Sequence, residues 1–140
     1  MNGPLYDIVH SLALDISNAS ATENDALAGE AYDALQELCK GQENTELDHP
    51  LQWEALGDFA ESHEVSIEAY QKGLHCANQL NLSEYSASIK LAMAECYVEQ
   101  DNMLEAHRLA TEAHTEGQSI DNNALSMAIA EFIDTFDAPA

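Results

Sequence analysis

Six histidines, three cysteines and 26 acids are the residues of this 140-residue chain that could do chemistry. His107 and His114 form the one suggestive pair, since residues seven apart share a face of a helix. Two turns separate them by roughly 10 Å, too far for one metal ion without a third ligand from another helix. With such a ligand the pair would serve a metal-dependent hydrolase. Neither H-E-x-x-H nor G-x-S-x-G occurs, and the six glycines are too scattered to cradle a phosphate. Carboxylates are so numerous that no pair stands out as an acid–base couple. The chain therefore reads as a non-enzyme with no cofactor and no metal. Cys39, Cys76 and Cys96 are odd in number and lack any short C-x2-4-C spacing. They sit in helix-like apolar patterns and are expected to be buried, reduced thiols.

The charge narrows the partners. With 4 bases against the 26 acids the formal net charge is −22. Phosphates would be repelled, which counts against nucleic acid, and anionic lipid is disfavoured for the same reason. The first base is Lys40, so no basic leader precedes an apolar segment, and no apolar run is long enough to span a bilayer. A cytoplasmic protein is expected. The acids are spread evenly along the chain, as a solubilising or salt-adapted surface also requires.

Alanine occurs 22 times and leucine 16 times, against 15 for Val, Ile and Thr together. That balance favours helix. Leu5, Ile8, Val9, Leu12 and Ile16 make a first stripe at helical spacing, behind Pro4. Ser20-Ala21-Thr22-Glu23 has the capping-box pattern and opens a second helix bearing Leu27, Ala31, Ala34, Leu35 and Leu38, with Gly41 as its stop. A polar loop leads to Asp48-His49-Pro50 and a third helix with Leu51, Trp53, Leu56 and Phe59. A fourth holds Ile67, Tyr70, Leu74 and Ala77. Ser83 caps a fifth, with Ile89, Met93, Cys96 and Tyr97, and Asn102 a sixth, with Ala106, Leu109, Ala110 and Ala113. Gly117 ends that helix, and Asp121 caps a seventh with Leu125, Ile129, Phe132, Ile133 and Phe136. The tail from Asp137 is expected to fray. About seven helices joined by short turns predict an all-α fold of antiparallel hairpins.

Helices three and four look like five and six at an offset of 37 residues. Trp53-Glu54-Ala55-Leu56-Gly57 aligns with Lys90-Leu91-Ala92-Met93-Ala94, and Ala69 with Ala106. The pattern resembles the tetratricopeptide repeat, a helix–turn–helix unit of about 34 residues with W-x2-L-G-x2-Y and a later alanine. Trp53, Leu56, Gly57 and Ala69 match in the first copy, and Met93, Ala94, Tyr97 and Ala106 in the second. Gly73 and Ala110 stand where that family has a large aromatic, and Lys90 replaces the first tryptophan. The resemblance implies one domain over 1–140, with hairpins stacked as a short right-handed superhelix. A hairpin at 4–40 precedes repeats at 50–80 and 83–117, and a helix at 121–136 caps the stack.

In that family the first helix of each hairpin lines a concave groove for a peptide. Carried over, the groove positions are Leu51, Glu54, Asp58, Glu61 and Ser62, then Ser88, Leu91, Glu95, Val98 and Glu99. Five are acidic and none is basic, so a clamp for a C-terminal carboxylate is excluded. A protein–protein interaction module or adaptor holding a basic or amphipathic protein segment is expected, with apolar contacts at Leu51, Leu91 and Val98. The competing readings are an acidic immunity or antitoxin-type inhibitor that masks a basic partner, and a self-assembling module that dimerises through the C-terminal helix.

Overall fold

The computed structural model describes residues 3–137. Seven helices and no strand occur among the described residues: α1 (Pro4–Ala21), α2 (Asp25–Gln42), α3 (Pro50–Phe59), α4 (His63–Leu80), α5 (Ser83–Glu99), α6 (Met103–Gly117) and α7 (Asn123–Asp137). The fold is all-α, as the composition and spacings predict. The end of the tail, 138–140, lies outside the described residues.

Local chemistry sets the helix starts. Pro4 and Pro50 occupy first-turn positions, where a missing N–H costs nothing. Side chains of Asn24, Ser62, Asn102 and Asn122 accept from the backbone N–H three residues on. Three start signals in the sequence are corrected. Ser20 is helical and opens nothing, because α1 runs to Ala21 and Glu23 takes a left-handed φ of 58° that no first-turn residue can hold. Ser83 is the first residue of α5, behind a Leu82 that makes no side-chain cap. Asn122, not Asp121, caps α7. Gly41 lies inside α2, which ends one residue later. Asn81, at φ 57°, reverses the chain after α4, and the Leu82 N–H then donates to the Ala77 carbonyl at 2.8 Å.

Consecutive helices pack: α1 on α2, α3 on α4 and α5 on α6, with α2 also against α3, α4 against α5 and α6 against α7. Short connections make these neighbours antiparallel. The first helices touch as well, α1 with α3 and α3 with α5. Val9, Ile16, Leu35, Cys39, Trp53 and Leu56 form one core cluster, and Ile67, Tyr70, Ile89, Met93, Ala94 and Leu109 a second. Ala94, Ala106, Ala110 and Ala113 are fully buried, so α5 and α6 approach closely. Gly57 makes the same provision for α3, where the Tyr70 ring is seated against it: a Cβ on Gly57 would fall 2.6 Å from Tyr70 Cδ1. Gly73 stays small because a Cβ there would sit 3.0 Å from Trp53 Cβ and 3.1 Å from Ile89 Cδ1. Lys90, only 11% exposed, pairs with Glu112 at 3.2 Å and with Glu116, tying α5 to α6.

The three cysteines are free and buried. Burial pushes the Cys39 and Cys76 thiols up to about 12, so both are protonated and unreactive at neutral pH.

Candidate functional site

The acids of α3 and α5 meet across a depression. Asp58 on α3 and Glu95 and Glu99 on α5 line it, with Glu61 and Ser62 from the α3–α4 turn. Val98, Ala92 and Cys96 supply its apolar surface on α5, and Phe132 reaches in from α7. The volume is about 700 Å³. No Lys or Arg lines it. Every base in the chain has an acid partner elsewhere: Lys40 with Glu37, Lys72 with Glu43, Lys90 with Glu112 and Glu116, Arg108 with Glu105 and Glu112.

Six of the ten groove positions named from the sequence share this depression: Asp58, Glu61, Ser62, Glu95, Val98 and Glu99. Leu51, Glu54 and Ser88 line a neighbouring hollow of about 470 Å³, together with Glu84, Tyr85 and Leu125. Leu51, Glu54 and Asp58 also face α1, where Tyr6 and His10 close a smaller one of about 250 Å³. Leu91 lines none of these hollows. It packs against the buried cluster of Ala87, Ala113 and Ile129, which belongs to the α5–α6–α7 seam. Sequence reasoning did not place Tyr70, His63 or Phe132 in the depression. The missing Cβ of Gly57 is the one sequence signal of the aromatic ring seated opposite it.

Hydrogen bonds hold the carboxylates in place. Ser88 Oγ donates to Glu54 Oε2 at 2.6 Å, joining α5 to α3. Tyr70 OH donates to Asp58 Oδ1 at 2.6 Å, joining α4 to α3. Burial pushes Glu54 up to about 7, against the pull of the Ser88 hydroxyl and with help from the Asp58 charge. Asp58 is raised by burial, though the Tyr70 hydroxyl pulls it down, and Glu95 is raised by burial and by Asp58. Asp58 and Glu95 keep solvent on one side. Burial thus shifts both carboxyls in the same direction, above their ordinary values.

A raised carboxyl pKa means the folded state holds the proton more tightly than the unfolded one. Glu54 therefore favours folding at acid pH and loses that contribution as pH rises from its ordinary 4.5 through about 7. Glu54→Gln is isosteric and its amide oxygen still accepts from Ser88. It is expected to stabilise the fold at pH 8 by roughly 1 kcal/mol, discounted for partial exposure, and to flatten the stability profile between pH 5 and 8. Thermal melts of both proteins across that range check it; parallel profiles would contradict it.

A different carboxylate serves packing. Asp48, read from sequence only as part of a helix start, accepts from Asn44 N at 2.9 Å, Gln52 Nε2 at 2.8 Å and Trp53 Nε1 at 2.7 Å. Burial opposes its charge, but these donors and the Cys76 thiol outweigh it and hold its pKa below the usual value. Lys72 stands over the Trp53 ring at 5.0 Å and pairs with Glu43 at 3.0 Å.

The histidine pair is not brought to a third ligand. His107 packs edge-on against Phe136 at 5.5 Å, and His114 lies 3.3 Å from Gln118 Nε2. Among the described residues no group of three His, Cys, Asp or Glu side chains could hold a metal ion. No helix among them is long and apolar enough to cross a membrane. Comparison of the chain with family models, curated proteins and solved structures finds no match.

Proposed function

We propose that this chain is a non-catalytic protein-interaction module whose hairpins stack in the manner of tetratricopeptide repeats. Its acidic groove takes a basic or amphipathic segment of another protein. The observation that carries the reading is the depression between α3 and α5, with Asp58 and Glu61 on one side and Glu95 and Glu99 on the other. Val98, Ala92 and Phe132 lie among them and no Lys or Arg lines it. Carboxylates gathered around one depression repel one another, and a cation placed between them relieves that repulsion. The apolar residues suit the stems and leucine-like side chains of an amphipathic segment. The seams of α2 with α3, α4 with α5 and α6 with α7 support the stacked reading. The free, buried thiols support a reducing, cytoplasmic setting.

A fluorescent helical peptide with leucines on one face and lysines on the other is the probe. Glu61 and Glu99 are both exposed, so Glu61→Lys/Glu99→Lys leaves the core intact. Its affinity for the peptide is expected to fall at least about tenfold, and the native interaction to weaken steeply with salt. Equal affinity of the two proteins would overturn the groove.

A further inference from the structure

The first two helices carry an apolar furrow that shares no residue with the acidic depression. Ile8 and Leu12 on α1, with Ala34 and Leu38 on α2, line a hollow of about 680 Å³. These four belong to the stripes that periodicity assigns to the core, yet Ile8 is 48% exposed and Ala34 is exposed. Elsewhere a following helix covers each hairpin, as α3 lies on α2, α5 on α4 and α7 on α6. The outer side of α1, packed against α2 and α3, has no such cover among the described residues.

We propose that this furrow is a second docking site, and that it takes one amphipathic helix of another protein with basic residues flanking its apolar stripe. The shape argues for a helix. Ile8 and Leu12 are four apart on α1, and Ala34 and Leu38 four apart on the antiparallel α2. Two such ridges leave one valley along both axes, the seat into which a third helix packs. The charge argues for its chemistry. Asp7 and Glu37 stand on opposite walls. The nearby base, Lys40, is 3.9 Å from Glu37, and both side chains are more than half exposed, which makes a weak pair. A second copy of this chain would bring its own Asp7 and Glu37 and another −22 of charge to the contact. Anionic lipid meets the same repulsion.

The site lies on α1 and α2, so its test is separable from that of the groove on α3 and α5. The probe is the leucine–lysine helical peptide, measured by fluorescence anisotropy against the full chain bearing Glu61→Lys/Glu99→Lys, which removes the groove's contribution. Adding Ile8→Glu, at an exposed position, is expected to weaken the remaining binding at least about tenfold. Ile8→Ala should weaken it less, and both should keep the helical circular dichroism of the parent. A peptide with glutamates in place of the lysines should not bind. Unchanged affinity with Ile8→Glu overturns the proposal. So does sedimentation showing that the native chain is a dimer which Ile8→Glu dissociates, since the occupant is then a second copy.

Discussion

Gly57→Ala is expected to destabilise the fold by about 3 kcal/mol, a large loss for one methyl group. A Cβ there falls 2.6 Å from Tyr70 Cδ1 and 2.8 Å from Tyr70 Cζ, well inside van der Waals contact. The ring is 4% exposed and cannot swing away without giving up its packing and its bond to Asp58. Its hydroxyl positions an acid of the depression, so the same substitution should loosen the groove. For a chain of this length the melting temperature should drop by roughly 10 °C. A double-mutant cycle with Tyr70→Leu isolates the cause. Against that background the alanine should cost at least about 1 kcal/mol less than in the native chain. Additive losses would mean that the clash with the ring is not what makes Gly57 necessary.

Asp48→Ala should cost roughly 2–4 kcal/mol, because it leaves several donors without their acceptor at once. Trp53 Nε1 and Gln52 Nε2 lose their partner in and beside the core, and Asn44 N loses its anchor in the α2–α3 loop. Asp48→Asn keeps one oxygen to accept from Trp53 and should cost less, roughly 1 kcal/mol. The sign with pH follows from the lowered pKa. The charged form is favoured in the folded state, so its contribution is present above the ordinary carboxylate value of 3.8 and disappears as pH falls through the lower folded value. Denaturant melts followed by Trp53 fluorescence should therefore show a native-to-Asn gap near pH 7 that closes in acid. A gap independent of pH would show that shape, not charge, sets the value of Asp48.

The helices were legible because apolar spacing and caps are local. Trp53, Leu56, Leu35 and Ile89 fall in stripes of helical spacing, and all are buried. Signals that depend on the next turn misled. Ser20 and Glu23 have the types of a capping box, but Glu23's left-handed backbone moves the start to Asn24, a choice made by how α1 meets α2. Stripe width misled as well, since it does not say which side has a neighbour: Ile8 and Ala34 share the spacing of core residues and face outward. In the candidate site, Asp58, Glu61, Glu95, Val98 and Glu99 are positions that the tetratricopeptide resemblance implies, and they line one depression. Leu91 went elsewhere because the α5–α6–α7 cluster takes it up, a contact between distant elements. The long-range partnerships of Glu54 with Ser88, Asp58 with Tyr70 and Asp48 with Trp53 were invisible, because a carboxylate's partner depends on packing rather than on spacing along one helix.

Chemical-shift mapping of the isotope-labelled chain during titration with the leucine–lysine peptide, with Ile8→Glu present to silence the outer furrow, tests the groove most directly. Saturable shifts are expected at Asp58, Glu61, Ala92, Glu95, Val98 and Glu99, with the exposed residues of α2 and α6 unmoved. Shifts that spread evenly over the acidic surface, or that gather on α2 and α6, would contradict the groove.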